Sequence, residues 1–170
     1  MSHAPLLGKA CSHQGGILRS AILGLAAGAA GTAVINLMTY LDMFVRARPS
    51  SSVPAKTATR MAERAGLRLA GADQQQTKSR RTAAGSLLGY SAGLGLGAAY
   101  GLVEPAIPDL PLPLSGVLLG TLAMAATDVP ATFTGATDPR TWSASSWIAD
   151  LLPHIGYGVA TVAVYRALRR

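Results

Sequence analysis

Asp150, His154 and Tyr157 stand at i, i+4 and i+7 in an otherwise apolar stretch. On a helix they share one face, where a carboxylate can orient an imidazole and a phenol can extend the hydrogen-bond chain. Asp128 sits in a second apolar stretch, and Asn36 and Tyr40, at i and i+4, in a third. Gathered at one level, these groups would form a proton-responsive site or hold a small polar ligand, with His154 changing charge near neutral pH. The plainer reading of the same set is interhelical hydrogen bonding, its carboxylates still in reach of water. No complete catalytic triad, metal-ligand cluster or nucleotide motif is present. We therefore expect no enzyme activity, no cofactor and no metal. Cys11 with His3 and His13 could bind a metal in principle, but a mobile polar N-terminus is the better reading.

The solvent around these residues follows from composition. Of 170 residues, 49% are hydrophobic, 14% charged and only 5% aromatic, few rings to fill a soluble core. Charge is segregated, nine of the 15 lysines and arginines lying between Arg46 and Arg81. Uncharged blocks joined by basic connectors predict an all-α polytopic membrane protein. Four stretches, 20–45, 82–103, 112–133 and 146–165, are long enough to cross about 30 Å of hydrocarbon. They make one membrane domain over 20–170, behind a polar N-terminus at 1–19 and interrupted by a basic linker at 46–81. The first stretch begins like a signal peptide, but its apolar run continues through "VINLMTYLDMFV", which favours an uncleaved span.

Glycine supplies the packing signal. Gly85, Gly89, Gly93, Gly97 and Gly101 recur every fourth position, and Gly24 and Gly28 form a shorter version in the first span. In water each would weaken a helix by about 1 kcal/mol relative to Ala. In lipid, small residues at this spacing let two backbones approach closely. We expect the first two spans to pack together through these glycines, or the second stripe to join copies of the chain or a larger membrane complex. A phosphate-binding loop is disfavoured, since no strand precedes the glycines and no P-loop lysine follows them.

Within the linker, Lys56, Arg60, Arg64 and Arg68 fall on one helical face and Ala58, Met61, Ala62, Ala65 and Leu69 on another. This predicts an amphipathic helix at the bilayer surface, its cations against anionic lipid headgroups. A solvated basic loop is the plainer alternative. Nucleic-acid binding is not expected from a net charge of +7 without a reader motif or aromatic platform. The linker and the loop around Arg140 share one side with ten basic residues against five on the other, which predicts a cytoplasmic linker. Trp142 and Trp147 suit an interfacial anchor, and Glu104 and Asp109 are expected in water.

Three segments, "AGAAGTAVINLMTYLDMFVRARPSSSVP", "GYSAGLGLGAAYGLVEPAIPDLP" and "LLPHIGYGVATVAVYRALRR", carry a resemblance in order and across most of the chain. They are similar to uncharacterised small bacterial inner-membrane proteins of the YagU-like kind. The matching residues are Asp42, Pro49, Pro54, Pro105, Pro108, His154, Tyr157 and Gly158. The resemblance implies a multi-pass plasma-membrane protein with a link to acid tolerance and brings no mechanism. The composition, rich in Ala and in Arg over Lys, fits a GC-rich bacterium. The leading expectation is a non-enzymatic accessory or assembly subunit packing through its glycine-rich helices. The alternative is a small proton-linked transporter or channel built on Asp128, Asp150 and His154.

Overall fold

Lipid leaves large aliphatic side chains on a helix bundle's surface and selects small ones for its interior. The computed structural model, which describes residues 5–107 and 109–170 with side chains from residue 16 onward, follows that rule. Leu18, Ile22, Leu37, Leu87, Leu118, Leu122, Ile148 and Leu152 are all exposed, whereas Ala27, Ala123, Thr161, Val162, Tyr157 and Tyr165 are buried. Four helices are long and apolar enough to cross a membrane. The chain is an all-α, four-span polytopic membrane protein with a short basic helix between the first two spans. His3 and Pro108, and the side chains of Cys11 and His13, lie outside the described residues.

The helices are α1 (Pro5–Arg46), α2 (Val53–Arg64), α3 (Gln74–Val103), α4 (Leu112–Phe133) and α5 (Ala144–Leu168). α1 packs between α3 and α5, α4 packs on α5, and α2 lies against α3 and the end of α4. The third span has the predicted bounds; the others are longer. α1 includes residues 5–19, the stretch expected as a polar tail. α3 starts eight residues ahead of the expected Thr82, because the Asp73 side chain accepts from Gln76 N and caps a polar first turn.

The amphipathic stripe of α2 ends earlier than the sequence spacing suggested. Gly66 takes a left-handed φ of 76°, and Leu67 N donates to Ala62 O at 2.8 Å while Gly66 N donates to Glu63 O at 3.0 Å. This glycine-terminated turn closes the helix, so Arg68 lies beyond it and off the stripe.

The glycines divide between two seams and a docking point. At Gly28 a Cβ would stand 2.6 Å from Gly93 O and 3.0 Å from Gly97 Cα; at Gly97 it would stand 2.5 Å from Gly28 Cα. Gly24 meets Gly97 O and Gly101 Cα. The first two spans therefore pack backbone to backbone, as expected. Gly85 instead seats α2, where a Cβ would lie 2.6 Å from Ala55 N, and Gly89 faces open space. A second seam joins Gly116 and Gly120 of α4 to α5, with Gly158 against Gly116 O and Gly120 N. Its i, i+4 pair in "SGVLLG" was a readable signal that the sequence analysis missed.

Candidate functional site: a carboxyl and imidazole cluster between α4 and α5

Beyond the second glycine seam, α4 and α5 bring Asp128, Asp150 and His154 together. His154 is 8% exposed. Its Nδ1 lies 2.8 Å from Asp150 O, one turn earlier, and 3.5 Å from Asp150 Oδ2. Its Nε2 lies 3.3 Å from Thr127 Oγ1 on α4. The Asp128 carboxyl on α4 stands beside Asp150 and His154, near enough for their charges to act on it. Asp150 Oδ2 is buried with no hydrogen-bond partner among the described residues. Two carboxyl groups and one hydroxyl thus stand about 8 Å inside the helix ends, and the imidazole one turn deeper, at about 15 Å, counting 1.5 Å per residue.

Each helix carries a proline at this level, Pro130 in α4 and Pro153 in α5. A proline supplies no N–H to the carbonyl four residues earlier, so Ala126 O and Ala149 O lose their usual helical donor here. In a membrane such backbone is tolerated where neighbouring polar groups or water re-satisfy it. The cluster is therefore rich in acceptors, and its charge is set by how many protons it holds. Among the described residues no lysine or arginine pairs with Asp128 or Asp150. No group of three or more ligands among the described residues is arranged to hold a metal.

Three residues expected beside this cluster stand elsewhere. Tyr157 crosses to α3, its hydroxyl donating to Gly93 O at 2.6 Å, because the ring fills the groove left by Gly31. Tyr40 is 63% exposed on α1. Asn36 is half-buried there and makes no side-chain hydrogen bond to the cluster among the described contacts. Thr127 was missed, although it stands beside Asp128 and its Oγ1 also bonds back to Met124 O at 3.0 Å.

A second polar cluster closes the opposite end. Glu104, expected in water, is 5% exposed and pairs with Arg166 Nε at 3.6 Å and with Arg169. Arg166 also reaches Asp109 at 3.4 Å and Ser115 Oγ at 3.2 Å. Asp109 itself is solvated, as predicted, with 83% of its side chain exposed. Glu104 opens the short helix Glu104–Ala106 directly after α3, where Arg166 and Arg169 at the end of α5 close over its carboxylate. Tyr165 OH donates to Gly101 O at 2.9 Å, repeating two turns later the bond that Tyr157 makes to Gly93.

No family model, curated protein or solved structure matches this chain. The site therefore has to be read from its own groups and geometry.

The other predicted contacts have definite places. Trp142 and Trp147 pack with ring centroids 5.0 Å apart and planes tilted by 57° at the start of α5, and Trp142 Nε1 donates to Thr137 Oγ1 at 2.8 Å. Arg60 Nη1 donates to Thr134 O at 2.7 Å and Arg64 Nη2 to Phe133 O at 3.1 Å. Two of the four cations assigned to headgroups thus also cap the carbonyl end of α4, where the helix dipole favours positive charge. Lys56 is exposed on α2 and Arg68 on the segment after it.

Proposed function

We propose that this chain is a small multi-pass protein of a bacterial plasma membrane that moves protons, or a small polar solute coupled to them, with Asp128, Asp150 and His154 as its proton-binding group. One observation carries the reading: two carboxyl groups and an imidazole from adjacent helices meet inside the span without a lysine or arginine partner among the described residues. Ionisable groups at membrane depth are costly and characteristically mark a pathway. Membership of the YagU-like kind, proposed from the sequence alone, would imply a link to acid tolerance and so the same kind of function. No chemical reaction is assigned. The linker is assigned to the cytoplasm by its excess of basic residues and faces anionic headgroups.

The test is flux in liposomes. With purified protein and an internal pH dye, an imposed pH gradient should collapse faster than in empty vesicles. Asp150→Asn should abolish that acceleration while the protein keeps its size in detergent. Wild-type vesicles that hold every gradient as well as empty ones would sink the proposal.

A second reading, an accessory or assembly subunit, is favoured by a different face of α3. Ser91, Gly95 and Ala99 are exposed at i, i+4 and i+8, and a Cβ at Gly95 would meet nothing within 4 Å. Gly93, Gly97 and Gly101 are occupied within the chain, so this neighbouring stripe is the one left for a second copy or a larger membrane complex. Native mass spectrometry of protein extracted from its host membrane separates the two: recovery alone favours transport, and recovery within a larger complex favours the subunit.

A further inference from the structure

We propose that the groove between α2 and the end of α4 binds one anionic phospholipid, its phosphodiester on Arg60 and Arg64 and an acyl chain along Met61, Pro130 and Phe133. The groove has a volume of about 450 Å³ and is lined by Met61, Arg64, Ala65, Pro130, Phe133 and Thr134. Its floor is apolar and open at the side. Phe133 is 78% exposed and Met61 42%. From Phe133 the exposed side chains of Val129, Leu122 and Leu118 continue along α4, a track for a lipid tail running into the bilayer.

Two arginines border this trough in fixed positions. One N–H of Arg60 and one of Arg64 are held by backbone carbonyls of α4. A guanidinium has five N–H donors, so each keeps several for a phosphate oxygen. Neither has a carboxylate partner among the described ion pairs. Two positive charges, anchored by neutral oxygens and set over an apolar floor, complement an anionic headgroup with its tail.

The level in the membrane selects the ligand. The groove lies at the carbonyl end of a transmembrane helix, and the packed Trp142–Trp147 pair marks the same end of the bundle. Indoles at a span's end lie at headgroup depth. A lipid phosphate is therefore present at high local concentration beside the arginines, whereas a free phosphate would leave the apolar floor bare. The inference rests on the four-span membrane fold and is independent of proton movement.

The test is native mass spectrometry of the purified full chain titrated with phosphatidylglycerol or phosphatidylcholine. One phosphatidylglycerol should be retained per chain, with affinity at least about tenfold above phosphatidylcholine, the scale two cations supply against an anionic lipid. The double variant Arg60→Ala/Arg64→Ala should erase that preference, and Arg140→Ala should keep it. Should α2 detach in the double variant, Met61→Ser/Phe133→Ser with both arginines intact gives a separate reading, since a lipid seated in the trough must loosen there also. Equal retention of both lipids, an unchanged preference in the arginine double variant, undiminished retention in the Met61→Ser/Phe133→Ser variant, or equal competition by glycerol phosphate lacking tails would overturn the proposal.

Discussion

The two ends of the bundle hold comparable numbers of polar groups but opposite kinds of charge. At one end Glu104 and Asp109 face Arg166 and Arg169, cations that keep their charge throughout the physiological range. At the other, Asp128 and Asp150 face only the His154 ring and the Thr127 hydroxyl. The first arrangement sets carboxylates against permanent cations and ties the turn after α3 to the end of α5. The second has no permanent cation, so protons alone can adjust its charge. Burial of polar groups is common to both; what separates a latch from a proton site is whether the counter-charge can leave.

The largest effect should come from unbalancing the latch. Glu104→Gln leaves Arg166 and Arg169 near a buried amide; with Arg169 partly in water and Arg166 still on Asp109, the loss should be about 2–3 kcal/mol, below that for a fully buried pair. Reversible unfolding in detergent should register that loss, and a variant as stable as wild type would remove the distinction between the ends. Asp128→Asn, by contrast, retains a hydrogen-bonding group and abandons no arginine. It should change stability by no more than about 1 kcal/mol in the same assay, and a collapse comparable to that of Glu104→Gln would make this cluster structural too.

The smallest effect belongs to a third acid and arginine pair, in the loop between α4 and α5. Asp138 accepts from Arg140 Nε at 3.0 Å and Nη2 at 2.9 Å, and these bonds, with the Arg140 backbone N–H, hold its carboxyl below the ordinary range. A depressed folded value means that its contribution is present above the unfolded pKa and fades as pH falls through the folded one. Arg140→Ala should return the Asp138 midpoint, followed by carboxyl carbon NMR, toward the ordinary value without altering flux. An unchanged midpoint would refute the arginine's role. Because this pair is bathed in water, it sharpens the contrast with its buried counterpart at Glu104.

Much of this was readable in the chain because lipid imposes simple demands. The uncharged blocks gave all four spans, and the spacing of Gly24, Gly28, Gly93, Gly97 and Gly101 gave the first seam. Asp128, Asp150 and His154 could be brought to one level by counting turns from the ends of their helices. What counting could not supply was rotation about the helix axis. Tyr157 shares a nominal face with His154, yet the space beside Gly31 draws its ring to α3. Glu104 read as solvated because its partners, Arg166 and Arg169, lie more than sixty residues away and reach it only through the fold. Arg68 was misplaced through a local signal that was present, the Gly66 that ends α2.

α5 contributes Asp150 and His154 to one cluster and Arg166 and Arg169 to the other, and it leaves the ribosome after α1, α3 and α4. α1 and α3 can close on each other as soon as both have emerged, whereas α4 has its main partner in α5 and carries Asp128 into the bilayer ahead of it. Synthesis thus passes through a stage in which a three-span chain holds an unmatched acid at each boundary, Glu104 on one side and Asp128 on the other. A nascent chain arrested before α5 would leave Glu104 without Arg166 and Arg169, and Asp128 without the Asp150 and His154 face, so both polar ends of the bundle close only when α5 docks.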